Sequence, residues 1–589
     1  EPLKEAQTQF AGRALHSTIP YYFISLTIPL CSLLPFLPAL FPLRCSLTTG
    51  YFYSDCECSY EITMGLFKRR APPEAQLSKA GINKGDNSDV LSEQKVTPLA
   101  CVLGAVASLG GFIFGYVSGQ ISGFFLMEDY ARRFGSRQSD GSYIFSAARQ
   151  GTIVSLLSVG SLFGALIAGK MADTIGRRLT ISASAFFTCV GTVIEISSST
   201  HWAQFAVGRL VTGLSIGSMS VVVPMYQSES TPAVLRGVII SSYQLLITLG
   251  IWTAEMVNWG TESTESSASW RIPNGLSFAW ALILGTSILF LPESPRYAYS
   301  RGRVDEARIS IARLSGLAPD SAGVNHQIAD IQSKIDEESE SAVEFHWIEI
   351  FTGPRMLYRT ILGITLQAGQ QLTGANFFFY FGTTVFAATG ISNSYATQII
   401  LGSVNVFCTI VGLWIVKRFG RRVTLMGGAA WMMMCFLVYA FVGHFALDHD
   451  NPMLTPKAGS ALVTFSCLAI AAFAVSWGPL VWTVNAELYP LRYRSACMGL
   501  ATASNWFWNF TRFITDKIDY LYGLVFAGCC AALVVIVFFF LIESKDRTLE
   551  EIDTMYVRHV NAIKSSDWDT SDYHQEVRRL SNARAETGS

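Results

Sequence analysis

Beyond residue 95 the chain alternates between apolar blocks and short polar stretches. The blocks run to about twenty residues, which at 1.5 Å rise per residue matches the roughly 30 Å hydrocarbon core of a bilayer. The pattern predicts about twelve helices, near 99–125, 152–169, 179–198, 202–224, 237–258, 274–291, 359–388, 395–416, 423–446, 459–484, 496–513 and 523–542. The chain therefore reads as an all-α polytopic membrane protein.

The seventh block is the polar exception. It carries Gln367, Gln370, Gln371 and Asn376, amides that are costly in a lipid-length helix unless they face a partner or a water-filled cavity. Gln367, Gln371 and the neighbourhood of Ala375 and Asn376 fall near one helix face, with Gln370 beside them. Amides carry no charge yet both donate and accept, which suits the hydroxyls of a neutral polyol. Gly369 and Gly374 permit close helix approach or local unwinding next to them. Two readings stand at this point: a polyol-binding site, or amides that only join helices.

Composition supports the membrane assignment. Of 589 residues, 50% are hydrophobic, 13% aromatic and only 15% charged, against about 25% charged in a soluble domain; the mean hydropathy is +0.34. The net charge of −1 identifies no partner, and no nucleic-acid partner is expected. The placement of cations is more informative. Lys68-Arg69-Arg70, Arg177-Arg178, Arg236, the loop over 296–359, Lys417-Arg418, Arg421-Arg422, and Arg492 with Arg494 all fall on one side of an alternating topology. That side is predicted to be cytoplasmic, with both termini inside. The 12 cysteines show no zinc-type spacing, and the 8 histidines lie in loops, tails or helix ends. No metal, no cofactor and no catalytic constellation is expected, so the chain does not read as an enzyme.

The amino-terminal stretch is unlike the rest. Pro20, Pro29, Pro35, Pro38 and Pro42 forbid a regular helix in the apolar segment 19–43. That segment also lacks the basic flank and clean apolar core of a secretory signal. Met64-Gly65-Leu66-Phe67-Lys68-Arg69-Arg70 looks like a cytosolic start, so residues 1–63 are expected to be dispensable. Residues 64–95 read as a disordered cytoplasmic tail.

An internal repeat organises the remainder. Gly169-Lys170-Met171-Ala172-Asp173-Thr174-Ile175-Gly176-Arg177-Arg178 recurs as Lys417-Arg418-Phe419-Gly420-Arg421-Arg422. Glu229 with Arg236 resembles Glu487 with Arg492 and Arg494, and Pro292-Glu293-Ser294-Pro295-Arg296 resembles Ile542-Glu543-Ser544-Lys545-Asp546. Offsets of roughly 245–260 residues indicate two parallel halves of six helices each. The expected organisation is an N-terminal six-helix bundle over 96–291, a linker over 292–358, a C-terminal bundle over 359–543 and a cytoplasmic tail over 544–589. Within the linker, 304–314 is patterned as an amphipathic helix.

These segments, together with Gly208-Arg209, Gly213, Pro224-Met225-Tyr226-Gln227-Ser228-Glu229, Gln370–Asn376 and Ser476-Trp477-Gly478-Pro479, resemble the sugar porter family of the major facilitator superfamily. The resemblance covers about 95–555 and looks strongest towards fungal monosaccharide (hexose) transporters. It implies a major facilitator fold of two pseudo-symmetric six-helix bundles with a cytoplasmic helical linker. It also implies a multi-pass plasma-membrane protein with a monomeric functional unit. The positions matching the family's sugar contacts are Gln244, Gln370, Gln371, Asn376, Asn405, Gly478, Trp482, Asn505 and Trp506. The chemistry agrees, because amides bind the hydroxyl rim of a pyranose and indoles cover its C–H faces. Asp173, Arg178, Glu229, Arg236, Glu293, Arg296, Glu487 and Arg494 are expected to pair across the cytoplasmic ends of the two halves as a gate. Lys417 stands where an acid is usual, which weakens the second copy of the turn.

Energy coupling turns on Val117, Arg209 and Glu255. Val117 replaces the aspartate that proton-coupled relatives carry in helix one, next to the position of Arg209. Glu195 and Glu255 are the nearby intramembrane carboxylates, and their distance from the block ends predicts solvated glutamates at the outer interface. Facilitated diffusion indifferent to external pH is therefore expected; the alternatives are a proton-coupled symporter using another carboxylate, or a sugar sensor with little flux. The short stretch after Glu543 argues against the sensor. The eleventh block is short: fifteen apolar residues over 496–510 give roughly 22 Å, below the roughly 30 Å core, as if a piece of the segment were missing.

Overall fold

The structure, a computed structural model, describes residues 97–138, 143–231, 233–325, 327–329, 331–332, 348–353, 355–388, 394–448, 455–490, 493–509, 521–545, 547 and 549–568. The segments 1–63 and 64–95, the end of the eleventh block and the tail beyond residue 568 lie outside these residues. The spanning helices are α1 (Pro98–Phe124), α2 (Ala147–Ile175), α3 (Arg177–Ser197), α4 (Trp202–Ser230), α5 (Ala233–Thr261), α6 (Ala268–Ser287), α7 (Met356–Leu372), α8 (Ala375–Ala388), α9 (Ser394–Phe419), α10 (Arg421–Phe445), α11 (Pro456–Val475), α12 (Trp477–Leu488), α13 (Arg494–Trp508) and α14 (Tyr522–Phe540). Among the described residues nine helices are long and apolar enough to cross a membrane. The fourteen pieces account for all twelve predicted blocks, because the seventh and tenth are each divided in two.

Helix starts follow local chemistry. Thr97 caps α1 by accepting from the Ala100 N–H at 3.2 Å, with Pro98 in the first turn; Ser146 caps α2 through the Arg149 N–H. Inside the N-terminal half, small residues let helices meet backbone to backbone. A β-carbon at Gly115 of α1 would collide with the Ile247 carbonyl of α5, and one at Gly217 of α4 with the Ser161 carbonyl of α2. In lipid, such close packing and inter-helix hydrogen bonds replace the hydrophobic driving force between helices. Ser161 Oγ donates to Gly213 O at 3.0 Å, and Thr188 and Ser215 hydroxyls meet at 2.6 Å between α3 and α4.

The two ends of the bundle differ. At one end the short helix Glu128–Phe134 folds over the N-terminal half, followed by a two-residue antiparallel ribbon, Ser136–Arg137 with Tyr143–Ile144. Tyr130, Phe134, Phe205 and Trp270 cluster there with ring centroids 4.9–6.0 Å apart, edge-to-face except for the tilted Phe134–Phe205 pair. Asp129 lies buried beneath, accepting from Arg133 Nε at 2.6 Å, Arg132 Nη2 at 3.0 Å and Trp270 Nε1 at 3.1 Å. Burial pushes its carboxyl up, but these donors outweigh it and hold it below the ordinary aspartate range.

The other end carries both arginine turns. There the amphipathic segment forms the helix Val304–Ser315, closed by Gly316 in the left-handed conformation, with Ala307, Ile311, Ala312 and Leu314 buried. Thr97 Oγ1 donates to Leu314 O at 2.8 Å, tying this linker helix to the start of α1. After α14 the chain folds back as the helix Leu549–Val557. Its Asp553 accepts from Arg359 Nη1 at 2.6 Å, and the buried Arg359 guanidinium lies 4.8 Å from the Tyr556 ring centroid.

Candidate functional site

The seventh block was expected to be one helix over 359–388; it is two. Gly374, between α7 and α8, has φ +81°, a conformation that glycine adopts without strain, and the Phe526 ring occupies the space of a β-carbon there. Thr373 Oγ1 donates to Gln370 O at 2.6 Å, satisfying a carbonyl beside the break. The tenth block, expected to run unbroken over 459–484, also divides. Ser476, between α11 and α12, has φ −121° and ψ −80°. Pro479 supplies the cause: it has no N–H for the carbonyl four residues back, and its ring crowds that carbonyl.

The two breaks are joined by one amide. Gln370 Nε2 donates to Trp477 O at 2.9 Å and Gly478 O at 3.0 Å, the first carbonyls after the break in the tenth block. Its oxygen accepts from Asn505 Nδ2 of α13 at 2.7 Å. Asn505 is the hub: Nδ2 also donates to Gln367 Oε1 at 2.8 Å, and Oδ1 accepts from Gln371 Nε2 at 2.6 Å. Asn376 Nδ2 completes the chain on Gln371 Oε1 at 2.6 Å. Gln367, Gln370, Gln371, Asn376 and Asn505 thus form one network from α7, α8 and α13. Gln367 belongs to it although the family resemblance did not mark it; the helical spacing alone placed it on the amide face.

The other expected contacts surround this network. Gln244 of α5 brings its Nε2 to the open Cα face of Gly478. Trp506 of α13 is buried, donates to Ser220 Oγ of α4 at 3.4 Å and lies 5.0 Å from the Phe114 ring of α1. Asn405 of α9 and Trp482 of α12 are buried as well. Two amide valences are unspent: Gln367 Nε2 and Asn405 Oδ1 have no partner. The amides face one another and the N-terminal half, an arrangement able to exchange internal bonds for the hydroxyls of a polyol.

The charged turns are arranged differently from the expectation. Among the described residues their ion pairs run within each half. Arg177 reaches Glu229 at 2.9 Å and Asp173 at 3.2 Å, while Glu293 accepts from the backbone N–H groups of Arg177 and Arg178. Arg178, the expected ion-pair partner, donates instead to the carbonyls of Leu289 and Leu291. The second half repeats the motif: Arg421 pairs with Glu487 at 3.0 Å, and Glu543 accepts from the N–H groups of Arg421 and Arg422. Ser294 Oγ on Glu229 and Ser544 Oγ on Glu487 complete the symmetry. The reason is local. Gly176 and Gly420, at φ +95° and +85°, turn each chain so that the following N–H groups face the carboxylate of their own half. Burial pushes the Glu293 carboxyl up, offset in part by the Ser294 and Arg178 amides and by the two guanidinium groups. Arg494 donates to Tyr489 O at 3.3 Å, and Arg296 also has a partner. The side chains of Arg236 and Lys417 lie outside the described residues.

At the opposite end Arg209 is fully buried and donates to Val117 O at 2.9 Å, so the two residues do meet, through the valine carbonyl. Glu195 and Glu255 are not solvated as expected; they are 1% and 3% exposed. Glu195 accepts from Thr212 Oγ1 at 2.9 Å, and the aromatic cap around Tyr130 extends the buried zone past the block ends. Sequence reasoning also missed Asn509, which donates to Tyr380 Oη at 3.0 Å, and Gln398, which donates to Glu255 Oε1 at 3.1 Å.

Comparison with known proteins agrees with this geometry. A family model described as "Sugar (and other) transporter" matches residues 103–556. The chain is 41% identical to the low-affinity glucose transporter HXT1 of Saccharomyces cerevisiae, over 87% of this chain and 93% of that protein. It is 41% identical to a low-affinity glucose transporter of Kluyveromyces lactis, over 80% of this chain and 84% of that protein. In fold it is similar to the proton:xylose symporter XylE bound to 6-bromo-6-deoxy-D-glucose, with a TM-score of 0.67, 22% identity and 78% and 100% of the two chains covered. The repeated halves, the two broken helices and a family match across most of the chain lead to one assignment: this protein belongs to the sugar porter family of the major facilitator superfamily.

Proposed function

We propose that the protein carries a monosaccharide, a hexose of the glucose class, across the plasma membrane by alternating access and down its gradient. The observation that carries this reading is the joining of two discontinuous helices at one uncharged amide network, Gln370 on Trp477 O and Gly478 O. Broken helices at the bundle centre are where transporters place substrate and where half-helices pivot. The relatives named glucose transporters supply the sugar class. Gln244, Gln370, Gln371, Asn376, Asn405 and Asn505 serve the hydroxyls, and Trp482 and Trp506 the apolar faces. The Arg177–Glu229 and Arg421–Glu487 clusters hold the end of each half rigid, so that the halves close against each other as bodies.

The basic turns support a cytoplasmic location for that end, and an even number of spans puts both termini on the same side in this reading. One chain contains both halves, so a monomer suffices. Passive transport is supported by Val117, which neither titrates nor pairs, while its carbonyl keeps Arg209 bound within the N-terminal half. Expression in cells lacking their own hexose carriers tests the reading. Labelled glucose should enter above background and be displaced by competing hexoses; absence of uptake with protein at the cell surface would refute it.

A further inference from the structure

A narrow cleft lies between α5 and α9, one helix from each half, at the end opposite the arginine turns. Glu255, Asn258, Ser122, Tyr395 and Gln398 line it, and it has no room for a water molecule. Glu255 Oε1 accepts from Gln398 Nε2, which also donates to Phe378 O of α8 at 3.0 Å. Glu255 Oε2 has no partner, and the Cα face of Gly402 presses against it so closely that a β-carbon would collide. Asn258 Oδ1 and Gln398 Oε1 are likewise buried without donors. The site therefore has a surplus of acceptors, and of these only the Glu255 carboxylate can take up a proton.

Among the described residues no cation compensates this carboxylate. The helices α1 and α8 contain no charged residue, Arg236 is at the far end of α5, and Lys417 and Arg418 are at the far end of α9. The titratable neighbours are Tyr395, whose hydroxyl donates to Gly123 O at 2.8 Å, and Glu262 beyond the end of α5. An ionised carboxylate buried here would keep one amide donor and lose the rest of its solvation, a state that proteins avoid by neutralising the group. A hydrated cation does not fit the cleft; a proton does.

We propose that Glu255 is a proton-binding site whose carboxyl is neutral, with the proton on Oε2, whenever this end of the protein is closed. Opening parts α5 from α9, admits water and lets the carboxyl ionise; closing requires one proton to return. The proton comes from and goes back to the solution on this one side, so none crosses the membrane. This rests on the passive, outward-oriented reading proposed above, and it replaces the expectation that flux ignores external pH. Above the pKa of a solvated glutamate, about 4.3, the closing equilibrium falls about tenfold per pH unit.

The test is sugar uptake by the full chain at several external pH values, with internal pH held constant. The wild-type maximal rate should fall as external pH rises, while Glu255→Gln should be flat and sit at the acid plateau. Gln398→Leu, which removes a hydrogen bond made only in the closed cleft, weakens closing and should move the fall to lower pH; a merely structural role would scale the rate without moving the profile. A flat wild-type profile, or an unchanged profile in Glu255→Gln or Gln398→Leu, overturns the proposal. Accumulation of sugar above the outside level that a protonophore abolishes would instead refute passive transport, whatever the pH profile.

Discussion

Gln371 donates to Asn505 at 2.6 Å, and this bond ties the last turn of α7 to α13 immediately before the Gly374 break. In the proposed site the sugar would compete with this internal bond for the same valences, so its affinity would be set by a difference between two hydrogen-bonded states.

Replacing Gln371 by Ala tests that balance. Sugar binding should weaken by about 1–3 kcal/mol, since Asn505 Oδ1 and Asn376 Nδ2 lose their shared partner. Surface abundance should hardly change. The measurement is the affinity for a labelled hexose together with the amount of protein at the membrane; intact binding with collapsed abundance would leave the amides as helix connectors only.

The arginine turns give a second prediction. Arg177→Ala and Glu229→Gln remove the two sides of one bond of 2.9 Å. Each should lower the maximal uptake rate, and the double variant should lose less than the sum of the two, with a coupling of about 0.5–3 kcal/mol. The matching cycle at Arg421 and Glu487 should behave alike. Strict additivity would show that the pair is not a functional unit.

Asp129 gives a prediction in pH. Its folded carboxyl titrates below the ordinary range, so it contributes stability above the unfolded value near pH 3.9 and loses it as pH falls through the folded value. Asp129→Ala should therefore lower thermal stability at neutral pH by about 1–3 kcal/mol, because Trp270 Nε1 and two arginines lose their acceptor. The deficit relative to wild type should vanish only in strongly acidic solution. Melting followed across pH checks both statements.

At the other end, Asp553→Ala leaves the buried Arg359 without its carboxylate. Asp553 is half exposed, so the loss should be modest, about 1–2 kcal/mol. A chain ending before Leu549 should lose more, since Ile552, Met555 and Tyr556 are also buried. Thermal melting of the two variants in detergent distinguishes them.

The sequence made some of this visible and hid the rest for physical reasons. The repeated turns were legible because glycine at positive φ followed by two arginines is a local signal, unaffected by distant packing. Which carboxylate each arginine takes was not, because Asp173, Glu229 and Glu293 come from separate segments that only folding brings together. The break at Ser476 had a signal in Pro479 that apolar continuity masked, whereas Gly374 beside the amides left close helix approach and unwinding both open, and only its φ of +81° decides between them. Burial of Glu195 and Glu255 could not be read from distance to the block ends, because segments distant in sequence cover them: the cap around Tyr130 lies near Glu195, and α9 packs against Glu255 through Gln398 and Gly402. In the eleventh block α13 spans Arg494–Trp508, and the residues after Asn509 that decide the block's length lie outside those described.

The central claim is that this chain alone moves a hexose passively. The most direct measurement is entry of a labelled, non-metabolised glucose analogue into sealed lipid vesicles containing only the purified protein. The account predicts that the analogue enters until inside and outside concentrations are equal, at the same end point with or without a proton gradient. No entry beyond that of protein-free vesicles, or accumulation above the outside concentration, would contradict it.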